Sequence, residues 1–281
     1  MLQQNIFGDR NYLQKLTNFR LDDTADLATK TEIIEKYIKS LDSGRIEKTK
    51  EESIQADFIN KFFGDILGYD YNDPNVWNLE KEYKVVTDGT KADGALGFFS
   101  IEGKMIASDV RAVIELKDAL TDLDKPQNRM GDKRTPVEQA FSYSSKAGGH
   151  CKWVIVSNFR EIRLYHASDQ SRFENFVLSQ FLNPDSLKRF FFLLQKDRLI
   201  SRTSESVVDM LYRERHEHEQ KITKEFYSGY KNLRMELFEH IKQNNPDRDE
   251  LMVLSKTQKL LDRFIFVCFS ENASLLPADT L

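Results

Sequence analysis

The order in which hydrophobic periodicities succeed one another constrains this chain more than any other feature. From Trp77 to Leu116 the segments "EKEYKVVTD", "KADGALGFFSIEG" and "MIASDVRAVIELK" carry strand-type patterns, with turn signals at Gly89 and at Glu102 to Lys104. "TPVEQAFSYSSKAG" then reads as a helix, because Thr135 and Pro136 occupy cap and first-turn positions and Gly148 closes it. "CKWVIVSNFREIRLYHA" supplies two further short strands joined at "SNFRE". Two helices precede all of these. "ADLATKTEIIEKYIKSLDSG" has apolar residues at helical spacing and a stop at Gly44. "KEESIQADFINKFFGDILGYD" places Ile54, Phe58, Phe62 and Ile66 on one stripe, with Glu51, Glu52 and Ser53 at its start and Gly68 near its end. Helix, about three strands, helix, two strands is the pattern of an α/β or α+β layered fold.

Beyond Phe181 strand signals disappear, and "VVDMLYRERHEHEQKITKEFYSGYKNLRMELFEHIKQNN" and "ELMVLSKTQKLLDRFIFVCFSENA" read as long helices. This places a boundary near Ile200. The expected organisation is an N-terminal helical segment over 1–45, a mixed domain over 46–200 and an all-helical region over 201–281. Leu260, Leu261, Phe264 and Val267 or Cys268 form an apolar face suited to a neighbour, and "LLPADTL" lacks a polar fading tail, so the chain is expected to be part of a longer protein. The 281 residues, 40% hydrophobic and 31% charged, suffice for one large or two modest soluble domains. The longest apolar runs fall well short of the roughly 18 residues that span a bilayer. No secretory signal opens the chain, and Cys151 and Cys268 form no Cys/His ligand spacing, which favours a reducing cytoplasm and argues against a structural zinc site.

The chemistry concentrates in "VRAVIELKDA", Val110 to Ala119. Period-two geometry puts Glu115 and Lys117 side by side on one face of a strand, with Ile114 and Leu116 on the other. Such a pair is either a strand-end ion pair or half of a metal site. Asp93, in "KADGAL", precedes Glu115 with 21 residues between them, and a hairpin built from the intervening residues would bring the two carboxylates together. Hard oxygen ligands beside a cation suit divalent-metal hydrolysis of a phosphodiester. Gln139 and Tyr143, four apart, share a face of the downstream helix, and Glu52 stands at the start of the upstream one. Lys125, Arg129, Lys133, Arg134 and Lys146 lie in or beside the intervening loop, where a local basic surface can meet phosphates despite a net charge of −4. Each residue also has a plainer reading: Asp93 as a turn residue before Gly94, Gln139 and Tyr143 as ordinary helix residues, Glu52 as an acid complementing the helix dipole. His216 and His218, two apart on a helix, do not face each other and read as solvated.

Taken together, "KADGAL", "VIELK" and "QAFSY" resemble the two metal-site segments and the QxxxY motif of the PD-(D/E)xK nuclease superfamily. "EESIQADFINKFFGDILGY", "WVIVSNFREIRLY" and "LLDRFIFVCFSENASLLPADTL" resemble segments found in that order in the N-terminal part of fused type IIG restriction-modification enzymes, so that the likeness covers most of residues 45–281. The resemblance implies a restriction-endonuclease-like mixed β-sheet flanked by helices, then an all-helical connector domain. It implies a Mg2+-dependent endonuclease acting on double-stranded DNA in a prokaryotic cytoplasm. Asp93, Glu115 and the backbone carbonyl of Leu116 would hold the metal and Lys117 would act on the attacking water. Glu52 would hold metal-bound water, while Gln139 and Tyr143 would brace Lys117 or touch DNA. An adenine-specific methyltransferase using S-adenosylmethionine and a target-recognition domain would belong to the same parent chain. The residues here contain no NPPY motif and no Gly-rich cofactor loop, so methylation is not expected of them. A non-catalytic module with a degenerate nuclease fold, or a repair or recombination nuclease, are the alternatives.

Overall fold

The structure, a computed structural model, describes residues 5–85, 89–103, 105–127, 133–203, 205–273 and 275–277. Along the chain run helices α1 (Arg10–Asn18), α2 (Leu27–Asp42), α3 (Arg45–Lys48) and α4 (Glu51–Ile59). The last continues as a π-helical stretch, Asn60–Ile66, before strands β1 (Val76–Lys81), β2 (Gly94–Glu102) and β3 (Met105–Leu116). Helix α5 (Pro136–Ser144) leads to β4 (Trp153–Ser157), β5 (Glu161–His166) and β6 (Asp169–Val177). Helices α6 (Pro184–Leu194), α7 (Lys196–Leu199), α8 (Val207–Asn244) and α9 (Glu250–Asn272) complete it.

The six strands form one mixed sheet in the order β1-β2-β3-β4-β5-β6. Neighbours are antiparallel except β3 and β4, which run parallel. A parallel pair needs a crossover, and α5 provides it by packing back on both strands. The local chemistry of α5 explains its start. Thr135 accepts a hydrogen bond from the Glu138 amide while the Glu138 side chain returns to the Thr135 amide, and Pro136 needs no amide donor in the first turn.

Period two then divides the core. Ala112, Ile114 and Leu116 of β3, with Trp153 and Ile155 of β4, face a helical layer that contains Tyr12, Ile34, Phe58, Phe62 and Phe190. Val113, Val154 and Val156 face the opposite layer, with Ala140 and Phe141 of α5. A bulge in the β2–β3 pairing, between Leu96 and Gly97, leaves Arg111 as an extra residue on β3. This is why Val110 and Val113, three residues apart, reach the same α5-side core. Gly97 makes the bulge possible: a Cβ there would lie 2.3 Å from the Asp109 carbonyl oxygen. Fully buried Phe63 and Phe190 anchor the helical layer, each contributing roughly 1.5–3 kcal/mol by burial alone.

Three expectations need amendment. The first strand is Val76–Lys81, so that it begins earlier than "EKEYKVVTD" and shares with it only Glu80 and Lys81; Lys84 makes an isolated bridge to Lys91, and residues 86–88 of that segment lie outside the described residues. A sixth strand, β6, follows the two expected after α5; it is an edge strand whose polar sequence carries no apolar run. The helix expected over 50–70 turns π-helical at Asn60. The chain divides into two compact units, 1–215 and 216–281. The first unit extends past Ile200 because Val208 and Leu211 join the main core, and it takes in the N-terminal helices through Tyr12, Ile34 and Ile38. The second unit is helical. In it the Tyr230 hydroxyl donates to Asp262 at 2.9 Å, Val253, Thr257 and Leu261 are buried, and Leu260, Phe264, Phe266 and Phe269 are exposed. No helix among the described residues is long and apolar enough to cross a membrane.

Candidate active site

Residue Asp93 stands one step before the Gly94–Ile114 pair of the β2–β3 ladder, and the antiparallel register therefore sets it across from Glu115. Its side chain is fixed there by accepting the Leu116 amide at 2.6 Å. Glu115 and Lys117 are 2% and 4% exposed, and the Lys117 ammonium donates to the Glu115 carboxylate. The Lys117 amide donates in turn to the Ser157 carbonyl at 2.8 Å, tying the end of β3 to β4. The expected hairpin therefore does bring Asp93, Glu115 and Lys117 to one place. The Leu116 side chain belongs to the helical-layer core.

The electrostatics of the cluster are unbalanced. Burial, followed by the negative charge of Asp93, pushes the Glu115 carboxyl up to about 8 against the opposing pull of Lys117, and Glu51 adds to the rise. Burial likewise holds the Tyr143 phenol above its ordinary value, reinforced by Glu115 and Asp93 and opposed by its hydrogen bond from Gln139. Gln139 donates to the Tyr143 hydroxyl at 2.8 Å, as their spacing on α5 allows, and accepts from Gln127 at 2.9 Å.

Helix α4 contributes differently from expectation. Glu52 is exposed at the helix start, whereas its neighbour Glu51 turns inward and accepts the Asp118 amide at 3.0 Å. A cleft of about 350 Å³ opens here, lined by Glu51, Lys117, Asp118, Lys125 and Gln127 among others. Of the basic residues, Lys125 pairs with Asp122 at 2.9 Å and Arg134 donates to Ser142 at 2.8 Å, while Arg129 lies outside the described residues. Gln127 carries no signal in the sequence: it sits in a polar loop without periodicity, and only its fold-dependent contact with Gln139 marks it.

The donor set suits a hard divalent cation. Mg2+ is commonly held by one or two carboxylates together with water and substrate phosphate, and a cation there would supply counter-charge to Glu115, whose charged form is disfavoured first by burial and then by the neighbouring Asp93. Among the described residues no group of three or more His, Cys, Asp or Glu is arranged to hold a metal by protein ligands alone. His216 pairs with Gln220 at 2.9 Å in the helical unit. Cys151 is buried and Cys268 exposed.

A family model described as MmeI, N-terminal domain, matches residues 29–210, a span that contains every residue of this cluster. No curated protein and no solved structure matches the chain.

Proposed function

The chain belongs to the MmeI N-terminal domain family, and from that membership and the site geometry we propose that it is the Mg2+-dependent DNA-cleaving domain of a type IIG restriction-modification enzyme. The observation that carries this reading is the buried Glu115–Lys117 pair held against Asp93 at the C-terminal end of β3, in the central parallel pair of the sheet. An ion pair kept only for stability has little reason to share its site with a second and third carboxylate, because that raises the cost of ionising Glu115.

In the proposed mechanism Asp93, Glu115 and the Leu116 carbonyl would hold the metal. When bound, Mg2+ supplies charge stabilisation at the phosphate undergoing in-line displacement. Lys117 orients the attacking water, and its ammonium offsets charge on the phosphate oxygens. Glu51, rather than Glu52, is the α4 acid placed to hold water on the cleft side. Gln139 and Tyr143 brace the cluster from α5. Double-stranded DNA is the substrate, and sequence recognition and adenine methylation from S-adenosylmethionine fall to other domains of the parent chain.

The test is a set of single substitutions assayed together for cleavage, Mg2+ binding and methylation in the parent enzyme. Asp93→Ala and Glu115→Ala should abolish cleavage with loss of metal affinity. Lys117→Ala should reduce cleavage about 100-fold to 1,000-fold while metal affinity persists. Methylation should survive all three. Normal cleavage by Lys117→Ala would overturn the mechanism, and loss of methylation alongside cleavage would mark the cluster as structural.

A further inference from the structure

The turn that joins β4 to β5 has an unusual backbone. Phe159 lies at φ +64° and is fully buried, and its carbonyl accepts the Tyr37 hydroxyl of α2 at 2.9 Å. A bulky residue in the left-handed region persists only where its surroundings hold it, and such strain gathers at functional sites. Asn158 stands immediately before it. The Asn158 Oδ1 accepts the amides of Arg160 at 3.2 Å and Glu161 at 3.1 Å, which closes the turn. That task needs only an acceptor, and aspartate or serine would serve. The other end of the carboxamide is spent elsewhere: Nδ2 donates to the Thr121 carbonyl at 3.0 Å, 37 residues earlier in the chain.

Thr121 belongs to the wall of the cleft that Lys117 and Glu51 also line. From it, hydrogen bonds lead link by link to the site. The Thr121 amide donates to the Asp118 carbonyl at 2.9 Å, closing a second turn, and the Asp118 amide donates to the Glu51 carboxylate at 3.0 Å. Just before that turn the Lys117 amide donates to the Ser157 carbonyl at 2.8 Å. The consecutive residues Ser157 and Asn158 therefore grip the chain on either side of Asp118. Packing adds little between those two points, since Leu120 is exposed and Ala119 buries only a methyl group.

We propose that Asn158 is a positioning residue: it straps the Asp118–Thr121 turn to the sheet and so fixes where the Asp118 amide holds the Glu51 carboxylate in the cleft. The catalytic consequence rests on the nuclease reading, in which Glu51 holds water on the cleft side; the strap itself does not.

The test uses two substitutions that keep an acceptor for the β4–β5 turn and remove the donor. Asn158→Asp sets a second oxygen against the Thr121 carbonyl, and Asn158→Ser is too short to reach it and adds no charge. Both variants should melt within a few degrees of the unsubstituted protein. Amide hydrogen exchange at Asp118 and Thr121 should accelerate roughly 3-fold to 10-fold, the size of one net hydrogen bond, while the Lys117 amide, held by Ser157, exchanges as before. Cleavage by the parent enzyme at saturating DNA should fall about 10-fold to 100-fold with KM unchanged, the usual scale for partners behind a metal site. In a Glu51→Gln background neither substitution should lower it further. Unchanged exchange at Asp118 and Thr121, an equal acceleration at Lys117, undiminished cleavage, or a full further loss in the Glu51→Gln background would each overturn the proposal. Selective acceleration in a protein whose unsubstituted parent cleaves no DNA would uphold the strap and sink the nuclease reading instead.

Discussion

Lys117 donates to Glu115 within the protein interior, the two side chains being 4% and 2% exposed. Removing one partner of a buried pair strands the other's charge, at a cost of roughly 3–5 kcal/mol when that charge cannot be discharged. Glu115 can discharge it by taking a proton. Lys117→Met should therefore destabilise the metal-free protein severely at pH 9 and much less at pH 6, where the carboxyl is neutral. Adding Glu115→Gln should recover most of the loss at pH 9. Denaturant unfolding of the single and double variants at both pH values checks this, and a Lys117→Met cost independent of pH would show that Glu115 is not the stranded group.

The same carboxyl links metal binding to pH. In the unfolded chain Glu115 titrates near its ordinary 4.5, and in the folded chain it is pushed up to about 8. Between those values the folded protein holds a proton that the unfolded chain has lost, so its contribution is present below about 4.5 and is lost as pH rises through about 8. Stability of the metal-free chain should accordingly decline across that window, and Glu115→Gln should flatten the decline. Mg2+ must displace the proton, so its affinity should rise by about tenfold per pH unit below pH 8. Calorimetric titration at pH 6, 7 and 8 measures the slope; a flat series would exclude Glu115 as a ligand.

Glu51 and Glu52 offer a comparison between adjacent carboxylates on one helix. Glu51 accepts the Asp118 amide at the cleft and its charge bears on Glu115, whereas Glu52 points to solvent. Glu51→Gln keeps an acceptor for the amide while removing the charge. It should leave the melting temperature within a few degrees, lower the apparent Glu115 midpoint and reduce cleavage. Glu52→Gln should change none of these. An equal effect of the two substitutions would mean that α4 acts on the site only through its packing.

That comparison shows where the sequence stops being informative. Helix α4 is legible from the spacing of Ile54, Phe58, Phe62 and Ile66, but adjacent residues on a helix differ by about 100° in direction, and apolar spacing does not settle which of two neighbouring acids turns inward. Asp93, Glu115 and Lys117 are legible because a strand leaves only two directions and a hairpin only one register. The capping chemistry of Thr135, Pro136 and Glu138 makes α5 equally plain. Strand β6 escapes because an edge strand with one solvated face needs no apolar run, and Asp169 to Arg172 supply none. Gln127 escapes because its partner is reached across a loop, through contacts that exist only once β5 supplies Arg163.

Two glycines in close quarters differ in what surrounds them. A Cβ on Gly97 would meet the Asp109 carbonyl oxygen at 2.3 Å and the Val110 α-carbon at 3.0 Å, both backbone atoms of the bulged neighbour strand. Neither can retreat without opening the β2–β3 ladder, whose far end sets Asp93 across from Glu115. A Cβ on Gly64 would come as close to Tyr71, at 2.2 Å, but there the obstacle is a ring on a half-buried side chain whose hydroxyl bonds Asp65 at an exposed site. The ring can swing aside, and replacing a helical glycine by alanine returns up to about 1 kcal/mol of backbone entropy. Gly97→Ala should therefore cost about 1–3 kcal/mol, in the range of overpacking against fixed structure, and weaken Mg2+ binding as the register relaxes. Gly64→Ala should cost under about 1 kcal/mol and leave Mg2+ binding unchanged. Urea unfolding and Mg2+ titration of the two variants side by side decide it: a Gly97→Ala protein of normal stability and normal metal affinity would show that the bulge does not set the position of Asp93.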